Sequence, residues 1–97
     1  MRLLNEEREA IREAVTMYDS DAEVYLFGSR VDDTKKGGDI DILVVSDKID
    51  SHSLFLIEEE IFKQIEEQKI DFVLSGGERK NPFANLILKK GAVRLWW

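Results

Sequence analysis

The residues most able to do chemistry lie in one stretch, LFGSRVDDTKKGGDIDILVV, which spans residues 26–45. After a Gly-Ser-Arg run and a polar loop, two aspartates occur one residue apart in an apolar segment. Carboxylates buried among isoleucines would be costly unless something compensates them. In a strand, however, residues i and i+2 share a face, so Asp39 and Asp41 project together while Ile40 and Ile42 point into the core.

This pairing of acids indicates a metal site. Asp39 and Asp41 would lie roughly 6 to 7 Å apart at the backbone, and two such carboxylates repel unless a proton or a cation lies between them. Mg²⁺ takes oxygen ligands and is held by one or two carboxylates plus substrate phosphates. A third acid, Asp71, occurs in the apolar run KIDFVLS. If its strand lies beside the second strand, three carboxylates suit two metals about 3.5 to 4 Å apart, as used for in-line phosphoryl displacement.

The Gly-Ser pair that follows the first strand predicts a phosphate-binding turn. Gly28 lets a phosphate approach the backbone, and the amides and hydroxyl at Ser29 can donate to its oxygens. Arg30 supplies a fork of donors for the same phosphates, although an ion pair within the chain is the alternative for this side chain. Sequence motifs of a P-loop, a dinucleotide-binding turn or an EF-hand do not occur.

Composition limits the classes of function. The 97 residues suit one domain, and the formal net charge of −6 argues against broad binding to nucleic acid, which relies on Lys and Arg. We expect no membrane span and no disulfide or thiolate metal site, because no long apolar window and no cysteine occur. A cytoplasmic location is therefore expected.

The pattern of apolar residues predicts an α/β (α+β) fold with a mixed sheet of three to four strands and helices packed mainly on one face. Phe83, Leu86 and Ile87 are expected on the buried face of the third helix. Phe55 and the terminal Trp96–Trp97 pair fit either a wider core or a partner surface. The predicted elements are helices at 4–18, at 54–67 and from Asn81-Pro82 to Gly91, strands at 23–27, 39–45 and 69–75, and a final edge strand in AVRLWW.

The run FGSRVDDTKKGGDIDILVV, together with KIDFVL downstream, resembles the signature of the DNA polymerase β-like nucleotidyltransferases. It is most similar to the minimal nucleotidyltransferases, small catalytic domains that pair with a helical HEPN-domain protein. The resemblance covers residues 20–75 by motif and the whole chain by length and element order, so we expect a single minimal nucleotidyltransferase domain over residues 1–97.

The resemblance implies a role for each matching residue. Gly28 and Ser29 would hold the nucleoside triphosphate, Asp39 and Asp41 would bind two Mg²⁺ ions, and Asp71 would complete the second metal site and help activate the attacking hydroxyl. It also implies transfer of AMP from ATP to a tyrosine of a HEPN toxin, which would make the chain an antitoxin.

One residue departs from the family pattern, and it leaves alternatives open. Many members carry a second arginine two residues after the first, where this chain has Asp32. Lys35 or Lys36 could supply that charge, and Arg79 and Lys80 are further loop cations. The alternatives to catalysis on a HEPN partner are an antitoxin that blocks this partner by occlusion alone, and modification of a small molecule or an RNA end. A homo-oligomer is also compatible with the sequence.

Overall fold

The computed structural model describes residues 2–32, 38–77 and 81–97. The predictions for Lys35, Lys36, Arg79 and Lys80 lie outside these residues. None of the helices in the described ranges is long and apolar enough to cross a membrane. The elements, in chain order, are α1 (Asn5–Thr16), β1 (Glu23–Phe27), a 3₁₀ turn (Gly28–Val31), β2 (Ile40–Val45), α2 (Ser51–Ile61), β3 (Ile70–Ser75), α3 (Pro82–Lys89) and β4 (Val93–Arg94).

The strands form one mixed sheet in the order β3-β2-β1-β4. The hairpin of β1 and β2 is antiparallel, and β4 pairs antiparallel with the other edge of β1. Because α2 connects β2 to β3, the chain returns to the same end of the sheet and β3 pairs parallel with β2. The predicted mixed sheet and fold class are confirmed.

Two apolar layers cover the sheet, and the larger one lies under α1 and α2. Ile40, Ile42 and Val44 face this layer, as their alternation with the aspartates predicts. On the opposite face, Leu43 and Val45 pack against α3 in a smaller cluster. The helices therefore pack mainly on one face, and α3 covers only part of the other.

The second helix begins and ends earlier than its apolar stripe predicts. It begins after Asp50, whose carboxylate caps the helix by accepting from the backbone N–H of Ser53 at 2.8 Å. It ends at Ile61, not at residue 67, because the chain turns there to reach the start of β3. Ile65 still packs against the larger core from this turn.

The third helix buries only one of the three apolar residues predicted for its buried face, Ile87. Its start is confirmed, since the Asn81 side chain caps it and proline occupies its first turn. Ala84 and Ile87 face the sheet, whereas Phe83 is 53% exposed and Leu86 is 46% exposed, so their predicted burial is wrong. At the end of the chain, Trp96 packs against the core, and the exposed Trp97 ring lies 4.1 Å from the Arg94 guanidinium.

Candidate active site

The register of the sheet places two of the three predicted acids side by side. Asp41 is the partner of Phe27 on antiparallel β1 and of Asp71 on parallel β3. Gly28 follows Phe27 directly, so the Gly-Ser turn and both acids lie at one end of the sheet. Asp39 immediately precedes β2 and shares the face of Asp41 by the two-residue period of a strand.

The glycine of the turn lies directly against the Asp41 carboxylate. Gly28 has φ +74°, a conformation that side chains disfavour, and a Cβ added there would lie 3.2 Å from Cγ of Asp41 and overlap its Oδ2 atom. Gly38, at the other end of the loop, is equally close to the Ser29 hydroxyl, with which an added Cβ would overlap. Both contacts require glycine, because a side chain at either position would overlap its neighbour. The backbone of Gly28 therefore lies close to the Asp41 carboxylate, and the backbone of Gly38 lies close to the Ser29 hydroxyl.

Electrostatics mark Asp41 as the centre of the acid group. Its pKa is raised, first by partial burial, then by the negative charges of Asp71 and Asp39, and it is lowered somewhat by Lys69. The charged form of Asp41 is therefore destabilised by the two acids with which the sequence analysis groups it. A cation near these carboxylates would relieve that repulsion.

Within the described residues, Lys69, which precedes β3, places a positive charge near these acids. Its Nζ atom lies 3.6 Å from Oδ2 of Asp39, and both side chains are largely exposed. Sequence analysis did not single out this lysine. The sequence feature that could have identified Lys69 is its position two residues before Asp71, because residues two apart in a strand share a face.

The three aspartates have the donor chemistry for Mg²⁺, since all supply hard carboxylate oxygens from neighbouring strands. Among the described residues, however, no three acidic or histidine side chains are already close enough together to hold a metal ion. The donor set fits a divalent metal, and some rearrangement of these side chains would be needed for all three to bind one ion.

Arg30 points away from the acids and towards the N-terminal segment. Its Nη1 atom donates to the carbonyl of Arg2 at 2.9 Å and lies 3.9 Å from Oε1 of Glu7, and its Nε atom donates to the carbonyl of Gly38 at 3.2 Å. This is the geometry of the alternative in which Arg30 forms an ion pair within the chain. Its contact with phosphate stays a prediction.

Glu7 joins the turn to two other segments. It is only 6% exposed, and it accepts from the backbone N–H of Leu4 at 2.9 Å and from Nε2 of Gln68 at 2.7 Å. Arg2 completes the cluster by donating to the carbonyl of Ser29 at 2.8 Å. The Gly-Ser turn is therefore fixed to α1 and to the segment that leads into β3. Sequence analysis missed this cluster, because Glu7 reads as an ordinary acid in the first turn of a helix.

Two grooves include residues of the candidate site, one at the Gly-Ser turn and the other at Asp71. The first, here called the turn groove, has a volume of about 500 Å³ and runs from Gly28 and Ser29 to the exposed Phe83, Leu86 and Lys90 of the α3 region. The second, the edge groove, has about 770 Å³ and lies between α2 and the start of edge strand β3. Its lining includes Phe55, Glu58, Glu59, Phe62, Glu67 and Asp71.

A small mixed sheet that carries acids on adjoining strands, beside a Gly-Ser turn, defines a class of phosphoryl-transfer domain. Comparison with protein families is consistent with this class: the family model described as nucleotidyltransferase domain matches residues 7–93. The chain belongs to the nucleotidyltransferase domain family, which assigns it a general role in nucleotidyl transfer and a transferase class. The family generally uses a nucleoside triphosphate and a divalent metal. A search of curated proteins found no significant match.

Proposed function

We propose that the chain transfers AMP from ATP to a hydroxyl of a partner protein, with two Mg²⁺ ions held by Asp39, Asp41 and Asp71. The observation that carries this proposal is the position of Asp41, which pairs in register with Asp71 and lies against the backbone of Gly28. One short turn thus brings a phosphate-binding backbone next to two carboxylates. The choice of ATP and of a HEPN toxin's tyrosine as acceptor is taken from the resemblance of the Gly-Ser and Asp-Ile-Asp motifs.

The residues of the chain divide the work between binding and proton transfer. Gly28 and Ser29 bind the triphosphate through backbone N–H groups and the Ser29 hydroxyl. Asp39, Asp41 and Asp71 would hold the metal ions, which when bound neutralise charge on the phosphates. Asp71 also accepts the proton of the attacking hydroxyl, and Glu7 keeps the turn in position through its contacts.

The turn groove is the place we assign to the nucleobase. It begins at the phosphate-binding residues, and its far wall carries Phe83 and Leu86, which stay exposed although they are apolar. A flat ring packed on Phe83 would bury part of this surface. Lys90 at the same wall adds a positive charge within reach of the phosphates.

Calorimetry of ATP binding with and without Mg²⁺ tests the proposal. The wild type is expected to bind ATP only with Mg²⁺, the Asp39→Asn/Asp41→Asn variant to lose this dependence, and Phe83→Ser to bind more weakly. Phe55→Ser is the matched control, because it removes an equally exposed phenylalanine outside the turn groove. Incubation with MgATP and a HEPN partner should then add the mass of one AMP to the partner. If the affinity for ATP changes neither with Mg²⁺ nor with the Asp39→Asn/Asp41→Asn substitution, the proposed metal site is refuted.

A non-catalytic antitoxin is the second candidate. The ion pair between Lys69 and Asp39 favours it, because this contact fills a metal-ligand position with a side chain of the protein. In this case the chain neutralises its HEPN partner by covering it. The two candidates separate in cells that express the toxin: the Asp39→Asn/Asp41→Asn variant rescues growth if occlusion suffices and fails to do so if catalysis is needed.

A further inference from the structure

We propose that the edge groove binds the acceptor, and that this acceptor is a basic segment of a partner protein in which Lys or Arg side chains flank the hydroxyl-bearing residue. The inference rests on the proposed function and extends it, because it states which chemistry surrounds the hydroxyl. Position, charge and exposed aromatic surface each support it.

The position of the groove follows from the geometry of the reaction. In an in-line displacement the attacking oxygen and the leaving pyrophosphate lie on opposite sides of the reacting phosphorus. The triphosphate is assigned to Gly28 and Ser29 at the end of β1, on one side of Asp41 in the sheet order. Asp71 lies on the other side of Asp41 in that order and lines the edge groove, so we assign the attacking hydroxyl to this groove.

The charge of the groove selects the acceptor. Among the residues that the structure describes, its lining carries the carboxylates of Glu58, Glu59, Glu67 and Asp71 against the positive charge of Lys69. Lys69 is itself engaged by Asp39, which lies outside the lining. An acidic acceptor would be repelled here, whereas flanking Lys or Arg side chains would find complementary charge.

The aromatic surface favours a peptide over a small cation. Phe55 is 60% exposed on α2, and Phe62 lies half-buried at the helix end. Arg and Lys stack on such rings, and the hydroxyl-bearing ring of a tyrosine packs against them equally well. The groove therefore offers apolar and charged contacts along one path that ends at Asp71.

The reaction is a balanced group transfer. The acceptor oxygen forms a bond to the α-phosphorus of ATP, and the bond from that phosphorus to the bridging oxygen of the β-phosphate breaks. The hydroxyl proton passes to the Asp71 carboxylate, and pyrophosphate leaves with the electron pair. A basic segment places this hydroxyl while its flanking cations contact the glutamates of the groove.

The test uses two nine-residue peptides with a central tyrosine in a Gly/Ser background, one flanked by two lysines and the other by two glutamates. Glucosamine serves as a small cationic acceptor. At low salt we expect kcat/KM for AMP transfer to the lysine peptide to exceed that to the glutamate peptide by about fivefold, the ratio that corresponds to one exposed ion pair of about 1 kcal/mol. Glu58→Lys/Glu59→Lys should abolish the preference for the lysine peptide and leave the affinity for MgATP unchanged. Glu6→Lys/Glu13→Lys, the matched control, makes the same charge change on exposed residues of α1 and should preserve the preference.

Each other outcome overturns the inference in a distinct way. Equal labelling of both peptides, a preference that survives the reversal at 58 and 59, or labelling of glucosamine alone shows that the groove does not select a basic segment. The inference also fails if neither peptide is labelled and fluorescence anisotropy at millimolar peptide shows equal binding of the two peptides or no binding. If the wild type binds no MgATP, the proposed function fails, and the groove is judged by peptide anisotropy alone, where only tighter binding of the lysine peptide supports it.

Discussion

Replacing Asp41 with asparagine should stabilise the metal-free protein, although it removes the central residue of the site. The substitution keeps the shape of the side chain and removes one of three neighbouring negative charges. Adjacent strands lie about 4.8 Å apart, so we take about 5 Å as the separation of the two charges on the in-register residues Asp41 and Asp71. At that separation the repulsion is about 0.8 kcal/mol in water and about 3 kcal/mol at the effective dielectric constant of a protein surface.

The partial exposure of Asp41 places the expected gain near the lower bound, at about 1 kcal/mol. For a domain of this size, that gain raises Tm by about 4 to 8 °C. The sign with pH follows from the raised pKa of Asp41. The wild type carries the penalty at pH values above that pKa and loses it as the pH falls through the pKa, while asparagine does not titrate. The gap between variant and wild type is therefore widest at neutral pH and closes in acid.

Mg²⁺ with ATP should reverse this order. A ligand at 100 times its Kd stabilises the folded state by about 2.7 kcal/mol, which exceeds the gain from Asp41→Asn. Thermal unfolding of both proteins, with chelator and with MgATP, measures the reversal. Asp21→Asn changes an exposed acid near the opposite end of β1 from Gly28, and as the control it should stay within about 0.5 kcal/mol of wild type. A variant that is less stable than wild type in chelator, or a gap that persists at low pH, would refute the electrostatic reasoning.

Three further substitutions test the parts that position the site. Gly28→Ala and Gly91→Ala both force alanine into a positive φ, which costs about 1 to 2 kcal/mol, but only the Cβ at position 28 would meet a carboxylate. Gly28→Ala should therefore unfold at a lower denaturant concentration than Gly91→Ala and lose MgATP binding. Equal losses of stability at both positions would argue against the contact with Asp41. Glu7→Ala should lower the free energy of unfolding, measured in urea, by about 2 to 3 kcal/mol, because it removes charged hydrogen bonds from a buried site. A comparable loss in Glu6→Ala, which changes an exposed residue, would contradict the role of burial. Asp50→Ala should lower Tm at neutral pH because it removes the cap of α2. The pKa of this acid lies below its ordinary 3.8, so the difference in Tm should fade as the pH falls through that lowered pKa. A difference in Tm that does not depend on pH would exclude a charged cap.

The sequence was sufficient for the strands and the acid face because both follow from a period of two. Asp39 and Asp41 alternate with Ile40 and Ile42, and one face of β2 must be buried, so the face of the acids is determined. The parallel pairing that brings Asp71 beside Asp41 follows from the helix between β2 and β3. These features depend on local pattern and on chain connectivity, which a single sequence records.

The third helix shows where local pattern fails. Phe83 and Leu86 are strongly apolar, and the pattern alone assigns them to the core. Their exposure depends on how much of the second sheet face α3 can cover, and the small residue Ala84 occupies the contact instead. The direction of Arg30 is equally inaccessible, because its partners Arg2 and Glu7 lie more than twenty residues away in the chain.

The acids of the candidate site differ in the charged groups around them, and this difference bears on how a metal ion would bind. Asp39 lies 3.6 Å from Lys69, whereas Asp41 lies against the backbone of Gly28, and among the described residues the repulsion from Asp71 and Asp39 outweighs the attraction of Lys69. A divalent ion that binds between Asp41 and Asp71 relieves the stronger repulsion first and leaves the Lys69 contact intact. If Asp39 also binds a metal ion, its contact with Lys69 would compete with that ion, and Lys69 lines the edge groove. On the proposed function we therefore expect the filling of a second metal position and the arrival of the acceptor to be coupled through this lysine.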